Sequence, residues 1–383
     1  MNRQLSSEIH LSPRPGDWED WRWQFRNRFK GLHGLKKLIP ISRNQEGDYK
    51  DLLSLYHFAA TPYYVSLIDF SDPDDPIRQQ TVPDLRELFH RKGGSVEDPF
   101  LEQHFSPVPG LIHRFEDRVL LMSTTLCGVY CRHCNRKRNW SKKGVLNLSM
   151  GHVREAALRY IELHPEVREV ILSGGDPLYL RDSILEEVLR RLRSIPHVEV
   201  IRIGTRAPVT LPMRIDDDLC SMLRRYRPIW VNTQFNHPRE ITAQSKLAVD
   251  RLVTSGIPVC NQAVLLKGIN DDIKILKELF QRLQAICVKP YYLFHCDPVM
   301  GTDHFRTTLS KGMAIMEGLW GKIGGLCIPH YVVDLPNAGG KAPLMPTYLL
   351  SMDGGEAIFR TIDGDIVKYP FRDRGSLGSG IWT

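Results

Sequence analysis

From about residue 117 onward the chain alternates two kinds of apolar pattern. Short runs rich in β-branched residues occupy 118–124, 169–174, 199–206, 229–235, 258–266 and 288–294. They are largely apolar, as strands covered on both faces are. Between them, apolar residues recur at helical spacing over 180–194, 217–225, 245–255 and 272–286. Strand, helix, strand repetition predicts a parallel sheet, because a parallel neighbour needs a crossover connection. Six such units predict an α/β fold: a curved sheet or partial (β/α)6 TIM-like barrel rather than the full eight-stranded one.

The flanks read differently. Residues 1–110 are rich in Trp, Pro and charge, and an amphipathic helix is predicted over 18–29. Its Trp18, Trp21, Trp23 and Phe25 are expected to pack rather than to hold a cofactor. This part is read as a helical layer docked on residues 111–349. Residues 350–383 alternate short apolar runs with Asp353-Gly354-Gly355 and Asp363-Gly364-Asp365. Those turn signals predict a small C-terminal β-hairpin appendage.

Composition narrows the class. Of 383 residues, 42% are hydrophobic and 25% charged, which is ordinary for a globular protein. No stretch approaches ~20 apolar residues, so no transmembrane helix and no membrane partner are expected. The first 29 residues lack the apolar core of a signal peptide, so a cytoplasmic protein is expected. The net charge of +7 comes without any zinc-finger, RNA-binding or helix-turn-helix pattern. It is read as solvated surface, not as a nucleic-acid site.

Cysteine placement changes the picture. Cys127, Cys131 and Cys134 stand in one run, spaced Cys-x3-Cys-x2-Cys. Three thiolates can hold three irons of a four-iron, four-sulfur cube and leave the fourth open to a small molecule. The alternative is a structural zinc site with His133 as a fourth ligand, although no second cysteine pair is present to close it. Cys220, Cys260, Cys287, Cys296 and Cys327 are scattered, and they read as buried free thiols of a reducing compartment.

Other polar motifs collect where the predicted strands end. They are Ser173-Gly174-Gly175-Asp176, Gly204-Thr205-Arg206, Thr233-Gln234-Phe235-Asn236-His237 and, after the sixth strand, Asp297. Carboxyl ends of parallel strands are where active sites assemble. Lys341 follows Gly339-Gly340 in a predicted loop free of other charge after Asp334. A desolvated lysine amine there would be a nucleophile able to capture an aldehyde such as pyridoxal phosphate.

These two constellations occur together with many further segments. They include Trp21-Arg22-Trp23-Gln24, Thr61-Pro62-Tyr63-Tyr64, His113-Arg114, Phe235-Asn236-His237-Pro238, Pro290-Tyr291-Tyr292 and His304-Phe305-Arg306. On these residues the chain resembles the lysine 2,3-aminomutase family of radical S-adenosylmethionine enzymes. The resemblance implies that Cys127, Cys131 and Cys134 ligate a [4Fe-4S] cluster. Ser173, Gly174, Gly175 and Asp176 would border S-adenosylmethionine. Lys341 would be the catalytic lysine that holds pyridoxal 5′-phosphate, with Arg114, Arg118, Asn261 and Gln262 near its phosphate. Arg136 would pair with the substrate α-carboxylate, and Asp297 and Asp334 with the distal ammonium of lysine.

The implied reaction is radical interconversion of L-lysine and L-β-lysine. A small amino acid would be the substrate, a flavodoxin- or ferredoxin-type protein the one-electron reductant, and the chain a homo-oligomer. Relatives acting on glutamate lack the two carboxylates. Arginine, and lysine destined for elongation factor P, are alternative substrates for the same chemistry. A non-catalytic zinc or nucleic-acid scaffold is the alternative of another class. Three departures stand out. The lysine loop, Pro336-Asn337-Ala338-Gly339-Gly340-Lys341, is poorer in glycine than is usual in the family. Gln234 stands where histidine is frequent. The C-terminal zinc cysteines of the clostridial type, which support assembly, have no counterpart, because the last cysteine is Cys327.

Overall fold

The computed structural model describes residues 13–89, 95–141, 144–337, 339–353 and 355–371. Residues 1–12 of the expected N-terminal layer and 372–383 of the expected appendage lie outside the described residues, as do Ala338 and Gly354.

Nine strands form the main sheet, and each lies beside its sequence neighbour. They are β1 (Leu111–Phe115), β2 (Arg118–Thr124), β3 (Glu169–Gly174), β4 (Val200–Gly204), β5 (Ile229–Thr233), β6 (Val259–Leu265), β7 (Val288–His295), β8 (His330–Leu335) and β9 (Gly340–Pro343). From β2 to β8 all pairings are parallel. β1 and β9 are antiparallel edge strands. The six strands read from the sequence are β2 to β7. β1, β8 and β9 carry His113, Arg114, Asp334 and Lys341, so their apolar pattern is interrupted, and these strands were not expected.

One longer helix follows each of β2 to β7. In order these are α1 (Gly151–Glu162), α2 (Asp182–Arg193), α3 (Asp217–Arg225), α4 (Ala243–Thr254), α5 (Ile273–Ala285) and α6 (Leu309–Leu319). Short polar side chains set the starts of α3 to α6. Asp216 accepts from the Leu219 amide at 2.8 Å, and Asp272 from the Lys274 amide at 2.7 Å. α1 and α6 complete the six units expected, beyond the four helical stretches singled out in the sequence.

Side-chain alternation decides where the core and the site lie. Val170, Leu172, Ile201, Ile203, Ile229 and Val231 are buried in one cluster with Leu185, Leu189, Leu192 and Leu223 of the helices. Their strand neighbours Ile171, Ser173, Arg202, Gly204 and Asn232 point to the opposite face, where they line a cavity.

The N-terminal layer shares this core through Leu35, Leu52, Tyr64 and Ile77. Its predicted helix over 18–29 is only Trp21–Arg26. Asp20 accepts from the Arg22 amide at 2.8 Å and starts it, whereas Phe29–Lys30 pair with Ala59–Ala60 as a two-residue ladder. The buried residue of this helix is Gln24, not a tryptophan. Gln24 donates to the Trp18 carbonyl at 2.9 Å and accepts from the Tyr63 amide at 2.8 Å. Packing by Phe25 is observed, with its ring stacked on Tyr179 at 5.0 Å.

The C-terminal appendage has three antiparallel strands rather than a hairpin: β10 (Leu349–Asp353), β11 (Glu356–Arg360) and β12 (Ile366–Pro370). Asp363-Gly364-Asp365 falls in the connection between β11 and β12, and Asp353 and Gly355 flank that between β10 and β11. Among the described residues no helix is long and apolar enough to cross a membrane.

Candidate active site

A cavity of about 640 Å³ lies on the sheet face that carries Ile171, Ser173, Arg202 and Gly204. Cys127, Cys131 and Cys134 line it, and so does Lys341. Arg114, Arg118, Arg136, Ser173, Gly174, Gly175, Asp176, Gln262, Asp297 and Asp334 complete the set brought together from the sequence reading. Asn261 is the exception. It is fully buried and strapped to Phe235, accepting from that amide at 2.7 Å and donating to that carbonyl at 3.0 Å. Successive strand residues point to opposite faces, so Gln262 reaches the cavity and Asn261 does not.

The cysteine run occupies the connection between β2 and α1. Burial pushes the Cys127 thiol well above its ordinary range, with the charges of Asp176, Cys134 and Cys131 adding to it. Burial and Cys131 push Cys134 up to about 11. The compensating cation is Arg206, whose Nη1 lies 2.7 Å from Cys131 Sγ. Such thiols become thiolates when a metal group takes up their charge. Among the described residues no three His, Cys, Asp or Glu side chains converge on a single-ion site. Three thiols on one cavity, with Arg206 beside Cys131 to offset their charge, are a donor set that suits a four-metal cube. His133 is buried, and its Nε2 lies 3.3 Å from Asn236 Nδ2. That contact makes Nε2 an acceptor for the amide rather than a free metal ligand.

The Ser173-Gly174-Gly175-Asp176 turn is stapled to the start of the cysteine run. The Gly175 amide donates to Thr124 O at 2.6 Å and the Asp176 amide to Leu126 O at 2.8 Å. A Cβ on Gly175 would stand 2.5 Å from Leu126 O, and Gly174 has φ +107°. Glycine is required at both positions by this close approach. Asp176 is committed within the protein. It accepts from Thr205 Oγ1 at 2.7 Å, the Arg206 amide at 2.8 Å and the Leu178 amide at 3.1 Å. It thereby aims Arg206 at Cys131. Thr233 Oγ1 and His133 Nδ1 are buried without a hydrogen-bond partner on the same cavity wall, which suits a polar ligand there.

Cations gather at the β1 to β4 side. Arg114 Nε and Nη2 are buried and unpartnered, a cost that an anionic ligand such as a phosphate removes. Arg118 stands beside Arg114 on the same wall, with its Nε 3.0 Å from Asp117. Arg202, missed in the sequence, lines this wall and pairs with Glu169. A charged residue at the inward position of an apolar strand was the available signal. Arg136 is held by Glu102, with Nε to Oε1 at 2.8 Å, and its Nη1 lies 3.4 Å from Ser173 Oγ. Glu102 was likewise missed, since no motif surrounds it.

At the other side Asp297, Asp334 and Lys341 face one another. Lys341 is on the edge strand β9, not in a loop; its side chain is more than a third exposed and its amine is ion-paired. The reason is register: β8 and β9 pair Asp334 with Lys341 directly. Asp297 accepts from Asn135 Nδ2 at 3.2 Å. Burial, and then the charge of Asp334, push its carboxyl up to about 7. The pair has carboxylate charge to spare for a cation. Cys296 packs as an apolar side chain beside Leu266, Ile269 and Phe305. Cys220, Cys260 and Cys327 are also buried, but Cys287 is exposed, against the expectation for all five.

Residues 121–279 match the family model of the Radical SAM superfamily, and residues 316–377 match that described as Lysine-2,3-aminomutase. The L-lysine 2,3-aminomutase of Clostridium subterminale is 47% identical over 362 residues, covering 94% of this chain and 86% of the relative. That of Acetoanaerobium sticklandii is 49% identical over 354 residues, covering 92% and 84%. The glutamate 2,3-aminomutase of Clostridioides difficile is more distant, 41% identical over 352 residues, covering 92% and 82%. With these identities along nearly the whole chain, and with three thiols and a lysine on one cavity, the chain belongs to the lysine 2,3-aminomutase family of radical S-adenosylmethionine enzymes.

Proposed function

We infer that the chain is an isomerase that interconverts L-lysine and L-β-lysine with a [4Fe-4S] cluster, S-adenosylmethionine and pyridoxal phosphate. The observation that carries this reading is the single cavity shared by the three thiols, Lys341 and the carboxylates of Asp297 and Asp334. When bound, the cofactors supply a carbon radical by one-electron reduction and a C=N π-bond along which nitrogen can migrate.

The residues of the chain supply position and charge. Cys127, Cys131 and Cys134 would hold the cluster, and the turn of residues 173–176 would border S-adenosylmethionine. Lys341 would hold the aldehyde, with Arg114, Arg118 and Gln262 around the phosphate. Arg136, oriented by Glu102, would meet the α-carboxylate through its Nη1 end. Asp297 and Asp334 would take the distal ammonium. An uncompensated charge in this buried place is costly, so the pair favours a cation and disfavours glutamate, whose side chain is an anion. Lys341 neutralises Asp334 in the free protein. A lysine nitrogen engaged by the aldehyde would no longer neutralise that carboxylate.

Further parts of the reading go with this. The main sheet, with inward residues from β2 to β9 on one cavity, supports a (β/α)6 partial barrel over residues 111–349. The described residues of 1–110 would form its helical layer and those of 350–383 its appendage. The exposed apolar residues Leu350, Met352, Ile366 and Tyr369 of that appendage support a homo-oligomer. A flavodoxin- or ferredoxin-type protein supplies the electron, and the protein works in the cytoplasm. The test is anaerobic reconstitution with all three cofactors, followed by product analysis on L-lysine, L-arginine and L-glutamate. β-Lysine from L-lysine alone is expected. Turnover of arginine or glutamate with none of lysine overturns the substrate assignment.

A further inference from the structure

Behind the cysteine run, off the cavity wall, a second cluster of charge is sealed inside the protein. Glu87, Arg132 and Lys137 have no exposed side-chain surface. Glu87 belongs to the N-terminal layer, in the turn Leu85–Leu88. Its partners come from the run itself: Arg132 directly follows Cys131, and Lys137 lies three residues beyond Cys134.

The hydrogen bonding is complete. Oε1 of Glu87 accepts from Arg132 Nε at 2.8 Å and from the Asp84 amide at 3.0 Å. Oε2 accepts from Arg132 Nη2 and from Lys137 Nζ, both at 2.7 Å. Arg132 Nη1 donates onward to the His57 carbonyl at 2.8 Å, and Lys137 to the carbonyls of Gly301 at 3.0 Å and Arg132 at 3.1 Å. One carboxylate therefore clasps the cysteine run at two points, with Cys134 between them. A surface ion pair would add little, but here removing the anion leaves two buried cations facing each other. Lys137 can relieve one charge by losing its proton, but the clasp itself is gone, and the run is then free to move with Cys131 and Cys134.

We propose that Glu87 is a positioning residue for the iron–sulfur cluster, holding residues 131–137 so that two of the three thiols meet the cluster in fixed geometry. The N-terminal layer thereby acts as a clamp on the cofactor loop. This inference rests on the reading that Cys127, Cys131 and Cys134 ligate the cluster.

The test uses the full chain, reconstituted anaerobically with ferrous iron and sulfide. Glu87→Gln is expected to lose cluster iron to a chelator about tenfold faster than the native chain, as for other partners that orient metal ligands. The electron paramagnetic resonance envelope of its reduced cluster should broaden. Its far-ultraviolet circular dichroism, and borohydride-trapped pyridoxyl labelling at Lys341, should stay native. Glu87→Asp, which keeps the charge, should recover part of the retention. Native iron retention together with a native resonance signal in Glu87→Gln overturns the proposal. If Glu87→Gln does not fold, Lys137→Gln leaves the Arg132 fork in place and should show an intermediate rate of iron loss; a native rate there overturns the proposal equally. Cys134→Ala is the separate control. Retention of a native cluster by that variant overturns the ligand assignment, not the clamp.

Discussion

Lys341 Nζ lies 2.6 Å from Asp334 Oδ1, across the antiparallel register that sets the two residues opposite each other on β8 and β9. The ammonium also sits 4.9 Å from the centre of the Phe294 ring. On the function proposed above, the carboxylate that would meet the substrate ammonium is masked by the lysine that would take the aldehyde, and this pair would couple cofactor capture to substrate binding. Lys341→Ala should abolish borohydride-trapped pyridoxyl labelling and lower turnover by about 10³-fold or more, as loss of a covalent residue does elsewhere. Peptide mapping and product analysis check this.

Asp334→Asn separates the two roles. It removes a carboxylate from the ammonium end and leaves Lys341 in place. Losing a charge-assisted contact at a partly buried carboxylate costs about 1.5–3 kcal/mol, so KM for L-lysine should rise about tenfold to a hundredfold. The kcat value should fall less than kcat/KM. Steady-state kinetics with saturating cofactors decide it, and an unchanged KM would remove Asp334 from the substrate site.

Asp297 carries a pH signature. Burial and the neighbouring charge of Asp334 raise its carboxyl to about 7 from an ordinary value of 3.8. Between about pH 4 and 7 the folded protein therefore binds more protons here than the unfolded chain, and stability falls as pH rises. Asp297→Asn has no such ionisation. Its Tm in the absence of ligands should match the native chain below about pH 4 and exceed it at pH 8. L-Lysine, by pairing with the ionised form, should raise the Tm of the native chain more at pH 8 than at pH 6. Calorimetry across pH checks both signs.

Gly175→Ala probes the staple between the residue 173–176 turn and the cysteine run. The new Cβ meets Leu126 O at 2.5 Å, Leu126 N at 2.8 Å and Thr124 O at 2.8 Å, all backbone atoms that cannot swing aside. Overpacking of this kind costs about 1–3 kcal/mol. A lowered Tm is expected together with reduced iron per chain, because the shifted backbone leads directly into Cys127.

Arg114→Gln probes the anionic end. Arg114 offers buried Nε and Nη2 without partners. Charge-assisted hydrogen bonds are worth about 1.5–3 kcal/mol, so pyridoxal phosphate should bind roughly tenfold to a hundredfold more weakly. The affinity for pyridoxal, which lacks the phosphate, should change little. Equilibrium titration of both aldehydes gives the comparison.

Local chemistry was legible without coordinates wherever a single segment carries it. The Cys127, Cys131 and Cys134 spacing, the Ser173-Gly174-Gly175-Asp176 turn and the largely apolar runs of β2 to β7 are short-range patterns, and short-range sterics and burial alone account for them. Tertiary structure decided what depends on facing partners. Asn261 and Gln262 are adjacent in sequence, yet strand alternation sends only Gln262 to the cavity. Lys341 read as a loop lysine until β9 found β8 and set it against Asp334. Glu87, Glu102 and Arg202 carry no motif. Their roles come from charges 33 to 50 residues away in the chain that burial forces to pair, and such partners exist only once the chain has folded.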